Sequence, residues 1–196
     1  MKKTVLTLFF AASTLAALSQ STNWSVDNTH TNVKFTVTHM VVSEVDGTFK
    51  TYDGKITSKT PTDFNDASVE FSVDVNSINT DNDDRDKHLK ADDFFNAEKF
   101  PKMTFKSTSF KKVNDKSYKL TGNLTIRDIT KTVTFDVIHG GIAKDPWGNT
   151  KAGFKATSTI NRKDYGLKWN VVTEAGGMVV ADDVKITINL ELNQAK

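Results

Sequence analysis

Cysteine is absent from the 196-residue chain. That one absence excludes disulfides, thiolate zinc sites, cysteine nucleophiles and anchoring of a lipoprotein at a cysteine, so stability must come from packing. An excess of one charge is missing as well: 26 Lys and Arg stand against 24 Asp and Glu. A balanced chain has no general field to attract nucleic acid or an anionic membrane, and no Lys/Arg cluster supplies a local one. No apolar run is long enough to cross a membrane either. The stretch Val5 to Leu18 is too short, and its end too rich in small residues, for a spanning helix. No linker, low-complexity tract or internal repeat interrupts the remainder of the chain.

The motifs of common catalytic machinery are also missing. There is no Gly-x-Ser-x-Gly elbow, Walker loop, dinucleotide fingerprint or His-Glu-x-x-His helix. The histidines stand at 30, 39, 88 and 139, with no two close enough to form a local ligand pair. A metal centre would have to be assembled by the fold from several histidines and carboxylates, and we expect none. The acid run Asp81, Asp83, Asp84, Asp86 is a poor calcium loop, because Arg85 and Asp86 occupy the places of an oxygen ligand and a glycine. Arg85 and Asp86 read as an ion pair or a helix-end contact before they read as a catalytic pair. Arg127 and Arg162 are candidates for a phosphate contact, with Asp164 or a turn as the more ordinary partner of Arg162.

The start of the chain reads as an address. Lys2 and Lys3 precede the apolar stretch, and Ala17-Leu18-Ser19 offers small residues where a signal peptidase reads, so residues 1–19 are expected to be a cleaved signal peptide. Cleavage would remove two lysines and no acids, leaving 24 charges of each sign. The remaining 20–196 suit one exported domain, periplasmic or secreted.

What the chain has in abundance is period-two alternation. Val33, Phe35 and Val37 oppose Lys34, Thr36 and Thr38; Ala67, Val69, Phe71, Val73 and Val75 oppose Ser68, Glu70, Ser72 and Asp74. Similar runs lie at 45–56, 103–106, 118–126, 133–137, 152–160 and 184–192. About eight strands with one apolar face each predict an all-β, antiparallel protein. Thr80 to Pro101 breaks the rhythm with acids then bases, which suits a short helix capped by Asn82 or Thr80. Eight such strands hide their apolar faces by stacking two sheets or by closing one into a barrel. The inward series mixes Phe35, Phe71, Phe105, Phe135 and Phe154 with Gly122, Ala152, Ala156 and Ser158, a mixture that fits solid packing or an open slot equally.

Six phrases in order resemble the YceI-like family: DNTHTNVKFTVTHM (27–40), GTF (47–49), RDKHL (85–89), FFNAEKFPKMTF (94–105), GNLTIRDITKTV (122–133) and NRKDYGL (161–167). The resemblance implies an eight-stranded lipocalin-like barrel with a short helical insertion. It further implies an apolar channel that holds a long-chain isoprenoid or a similar amphipathic, fatty-acid-derived lipid. It carries no catalytic residues and no cofactor. Two positions depart from the family: Val41, where glycine is frequent, stands near the expected channel mouth, and Asp128 to Thr132 replace a Gly-Val-Thr-Lys-Pro turn that Asp can still form.

On this reading the channel lining continues the inward registers at Phe35, Val37, Val73, Phe105, Leu124, Phe135, Phe154 and Ile160, with polar groups at the rim. The protein is a carrier or store, not an enzyme, with no stable membrane anchor and with a homodimer allowed. The alternatives are a structural or stress-protective barrel with a filled core, or a lipid-modifying enzyme. His39 and His139 each end an inward run, on strands of opposite direction. They are expected about 15–20 Å apart, too far to share a metal. His39, with Asp27 or His30 as neighbours, is either a structural histidine satisfied by backbone or a ligand contact.

Overall fold

A computed structural model describes residues 21–172 and 177–195; the expected signal peptide lies outside them. Eleven strands form one antiparallel sheet: β1 (Thr22–Val26), β2 (Asn32–His39), β3 (Ser43–Phe49), β4 (Tyr52–Ser58), β5 (Ser68–Asp74), β6 (Ile78–Asn79), β7 (Lys102–Lys112), β8 (Ser117–Ile126), β9 (Ile129–Lys144), β10 (Thr150–Asn161) and β11 (Val180–Gln194). Eight of them, in the order β1-β4-β5-β7-β8-β9-β10-β11, close on themselves because β1 also pairs with β11. Of the two arrangements the alternation allowed, the fold is the barrel that the resemblance implies, rather than a sandwich. The other three, β2, β3 and β6, extend the sheet from the free edge of β11.

The expected run 45–56 is broken into β3 and β4, while β1 and β6 lie outside the expected strands. β1 and β2 follow one path along β11, interrupted at residues 27–31: β1 pairs with Leu192 to Gln194, β2 with Val180 to Asn189. β1 has five residues, too short a run for alternation to mark. β8 shows the expected pattern in pure form, with Tyr118, Leu120, Gly122, Leu124 and Ile126 all buried. Its hairpin to β9 turns on Arg127 and Asp128, both at positive φ, so Asp128 does form the turn expected of it. β9 runs past Val137 to Lys144, and because the residues beyond Val137 are exposed apart from half-buried His139, no alternation marks that part in the sequence. A register shift beside Gly153 and Phe154 leaves Gly140 unpaired on β9, a bulge that re-phases the strand just beyond His139.

The helix α1 (Asp83–Lys90) lies in the expected interruption, capped by Asn82, whose side chain accepts a hydrogen bond from the Arg85 amide at 2.9 Å. Asp83, Asp84 and Asp86 fill its first turn, Lys87, His88 and Lys90 its last, each sign at the end of the dipole that favours it. Thr80, the other cap candidate, is instead a partner of Asp86.

At the β2–β3 connection Met40 and Val41 both have positive φ, 50° and 62°. A left-handed conformation costs a β-branched residue about 1–2 kcal/mol. Val41 is 79% exposed, so no burial of its side chain offsets that cost. Val41→Asn is expected to raise the unfolding free energy by about 1 kcal/mol, read as an increase in denaturant midpoint with an unchanged slope.

Candidate functional site

The barrel is filled at one end and hollow at the other. At the filled end Trp24, Phe64, Ala152 and Leu192 are almost wholly buried. Phe64 reaches in from the β4–β5 loop to pack on Trp24 at 5.3 Å, Phe154 at 4.8 Å and His139 at 5.4 Å between ring centres. Sequence reasoning passed over Phe64; a single aromatic in the polar stretch Thr60 to Asp66 was the available signal. Above this floor lies a cavity of about 600 Å³.

Most of the residues expected in a lining do border the cavity: Phe35, Val37 and His39 from β2, Val73 from β5, and Phe105, Leu124, Phe135 and Ile160 from β7 to β10. Phe154 does not. Its ring lies in the floor, stacked on His139 at 4.7 Å and edge-on to Phe64, at the level where Phe64 plugs the barrel. Two phenylalanines fold over glycines and clear the central space. A Cβ on Gly47 would meet the Phe35 ring at 2.2 Å, and one on Gly122 would meet Phe105 at 2.5 Å. Phe105 in turn stands edge-on to Phe135 at 5.5 Å.

The far end is roofed by residues outside the barrel wall. Leu89, Phe94 and Phe95, on and after α1, border the cavity together with Tyr165, Leu167 and Trp169. Trp169 packs against Phe94 and His88, 5.3 and 5.0 Å between ring centres. Exposed Asp84 and Arg85, with half-buried His39, mark the entrance. Beside it the exposed apolar residues of two connections meet: Met40 donates its amide to Val179 O at 2.8 Å, and Val179 to Val171 O at 3.0 Å. Val41 points to solvent there and is not among the residues bordering the cavity, so it does not narrow the mouth.

The arginines and acids near the roof hold loops together. Arg162 is buried and donates to the carbonyls of Leu167 at 2.6 Å, Trp169 at 2.8 Å, Ala181 at 2.9 Å and Val180 at 3.4 Å, and to Asp182 at 3.4 Å. Asp164 is not its partner. Arg127 donates to Phe94 O and Gly166 O, which joins the two roof segments. Arg85 and Asp86 do not pair with each other; both serve Thr80. Asp86 accepts from the Thr80 amide and hydroxyl at 2.9 and 2.6 Å, while Arg85 donates to the same hydroxyl and to Thr80 O, each at 2.7 Å.

The histidines separate, as expected. His139 lies level, through Phe154, with Leu190, and Val37 lies level with Val184. Six residues of β11 and the two from Val37 to His39 on β2 divide them, about 26 Å along the strands before tilt at 3.3 Å each, too far to share a metal. His139 sits among Phe64, Phe154 and Tyr118. Burial lowers its pKa, against a hydrogen bond with the Gly141 backbone, so it is a neutral core residue. Asp27 and His30 are not neighbours of His39. They lie at the β1–β2 break, where Asp27, His30 and Glu191 place one ligand atom each within 4.8 Å of one another. The Lys151 ammonium is already there, 2.5 Å from Asp27 and 3.3 Å from Glu191, and supplies the positive charge those carboxylates call for.

The model of the YceI-like domain matches residues 24–192. The chain belongs to the YceI-like family. Curated YceI-like relatives include the UPF0312 protein of Staphylococcus aureus strain N315, 37% identical over 173 residues, which are 88% of this chain and 98% of that one. Among solved structures, the Campylobacter jejuni YCEI protein is 33% identical with a TM-score of 0.69, over 81% of this chain and 90% of that one. A polyisoprenoid binding domain from Saccharophagus degradans shares the fold at 14% identity and a TM-score of 0.64, over 88% and 98%. The YceI-like barrel predicted from the six phrases is thus the family as well as the fold.

Two outcomes are expected. Asp86→Ala leaves the buried Thr80 amide and hydroxyl without an acceptor and should cost about 2–3 kcal/mol, seen as a lowered melting temperature. The Lys151 ammonium, then Thr29 and His30, hold the Asp27 carboxyl well below the usual carboxylate range, against burial. A depressed folded pKa stabilises fully above the unfolded value near 3.9 and is lost as pH falls toward the folded one. The destabilisation caused by Lys151→Met should therefore be largest above about pH 4 and shrink on acidification, measured by urea unfolding at a series of pH values.

Proposed function

We propose that the protein is exported, to the periplasm or the exterior. There it binds the chain of a long-chain isoprenoid or similar amphipathic lipid in its cavity, as a carrier or store. The observation that carries this reading is a cavity of about 600 Å³ whose wall is mostly Phe, Leu, Val, Ile and Met, with its buried Thr80 and Arg162 committed to the scaffold. The shared fold of a polyisoprenoid binding domain supports the same ligand class.

Burying apolar carbon is worth about 0.8 kcal/mol per methylene against water, which for tens of carbons exceeds any practical affinity. For an exported protein the competing solvent is a bilayer. Transfer between two apolar media leaves a small net free energy, which suits reversible loading and release. A filled structural core does not match an interior with this cavity. A lipid-modifying enzyme would need a reactive polar constellation on the lining. Arg85 and Arg162 there are spent on the Thr80 hydroxyl and on backbone carbonyls, and His88 is paired with Asp93 at 2.8 Å.

Protein purified from its export compartment, extracted with solvent and analysed by mass spectrometry, should yield an isoprenoid lipid in near-equimolar amount. An extract without stoichiometric lipid would overturn the reading. Phe135→Arg puts a charge on the lining and should abolish lipid recovery while circular dichroism shows the barrel retained.

A further inference from the structure

Tyr165 is 1% exposed and borders the cavity, yet its hydroxyl has no hydrogen-bond partner. Buried polar groups in folded proteins are nearly always paired, so an orphan hydroxyl on a residue that borders a cavity asks for a partner that enters it. Of the other polar residues that border the cavity, Lys34, Asp84 and Thr104 are exposed and His39 is half-buried, so water reaches them; the rest are spoken for. Thr80 is shared between Asp86 and Arg85, His88 pairs with Asp93, and Arg162 is saturated by carbonyls. His139 carries the other orphan, its Nε2, but it sits in the aromatic floor and does not border the cavity.

The phenol is held in place by its own chain. It ends the 3₁₀ turn Arg162–Tyr165, which Asn161 caps by accepting from the Lys163 amide at 2.9 Å. Gly166 follows at φ 78°, its amide on Lys163 O at 3.0 Å and its carbonyl on Arg127 at 2.9 Å. A side chain positioned by such ties loses little freedom on meeting a ligand. Burial, with Asp164 adding to it, pushes the hydroxyl pKa up to about 12, so the group is a neutral donor across the physiological range.

We propose that Tyr165 is the polar recognition point inside the cavity, donating a hydrogen bond to an uncharged oxygen, an alcohol or a carbonyl, on the buried end of the isoprenoid. The inference rests on the lipid-binding reading and narrows it. It favours an oxygenated, uncharged end over a bare hydrocarbon, because only the former satisfies the hydroxyl. It also favours that end over a phosphate, because the guanidiniums of Arg85 and Arg162 already serve the protein's own oxygens.

The test uses delipidated full-length mature protein and three probes of one chain length: geranylgeraniol, the same hydrocarbon without oxygen, and geranylgeranyl phosphate. Wild type should bind the alcohol about tenfold more tightly than the hydrocarbon or the phosphate, the ratio expected of one hydrogen bond to a buried group. Tyr165→Phe should remove that preference by weakening the alcohol alone, with hydrocarbon affinity unchanged and the melting temperature of the free protein unchanged or higher. Equal alcohol affinity in wild type and Tyr165→Phe would overturn the assignment and leave lipid binding standing. So would a parallel loss for all probes with a lowered melting temperature, which marks a structural tyrosine. Tightest binding of the phosphate would overturn the uncharged end. Failure of wild type to bind any of the three would overturn the lipid-binding reading and this assignment together.

Discussion

Backbone pairing along β11 is the constraint on which the rest of the structure depends. One edge of this strand is taken by β10 over eleven consecutive pairs, from Lys151–Asn193 to Asn161–Asp183. The other edge is divided between β1 and β2. Closure removes the edges an open sheet would expose, but here one strand edge must serve two partners, and the chain breaks between them. The break is where charge is buried: Asp27 with Lys151 and Glu191, Thr31 exchanging hydrogen bonds with the Glu191 backbone, and Tyr52 donating to Thr31 O. Each interaction fixes a backbone that has left the ladder, and buried backbone groups outside a ladder need other partners.

Hollowness comes from how the interior is divided. Large rings brought in by Trp24, Phe64 and Phe154 pack against one another and fill one end. At the other end, phenylalanines lie against the wall over glycines, and the volume they would otherwise occupy stays open. The roof could collapse into that space if its loops were loose. Arg162, Arg127 and Asp86 hold it at its height by hydrogen bonds to named carbonyls, hydroxyls and amides. Committing those charges to the scaffold also keeps them from pointing unpaired into the cavity, so one division of labour gives both rigidity and a mostly apolar interior.

The same sequence types play opposite parts according to level. His39 and His139 each end an inward alternating run. One borders the cavity beside its entrance, and the other is packed in an aromatic floor and kept neutral by burial. Phe105 and Phe154 occupy equivalent phases of β7 and β10, yet the first lines the cavity and the second closes it.

The amino-acid sequence by itself determined the strands, their inward faces, the helix with its cap and charge order, and membership of a barrel family. All of these arise from local periodicity and short phrases, because a side chain's face in a strand is set by its immediate neighbours. Tertiary structure alone decided what stands inside. Whether Phe64 leaves its polar loop to plug the floor, whether Phe154 meets that plug or open space, and which partner Arg162 finds depend on residues far apart in the chain. Their volumes and hydrogen bonds are settled only when the sheet closes. Solid and hollow barrels share one alternating pattern, since the pattern records the side of the wall and not the distance to the side chain opposite.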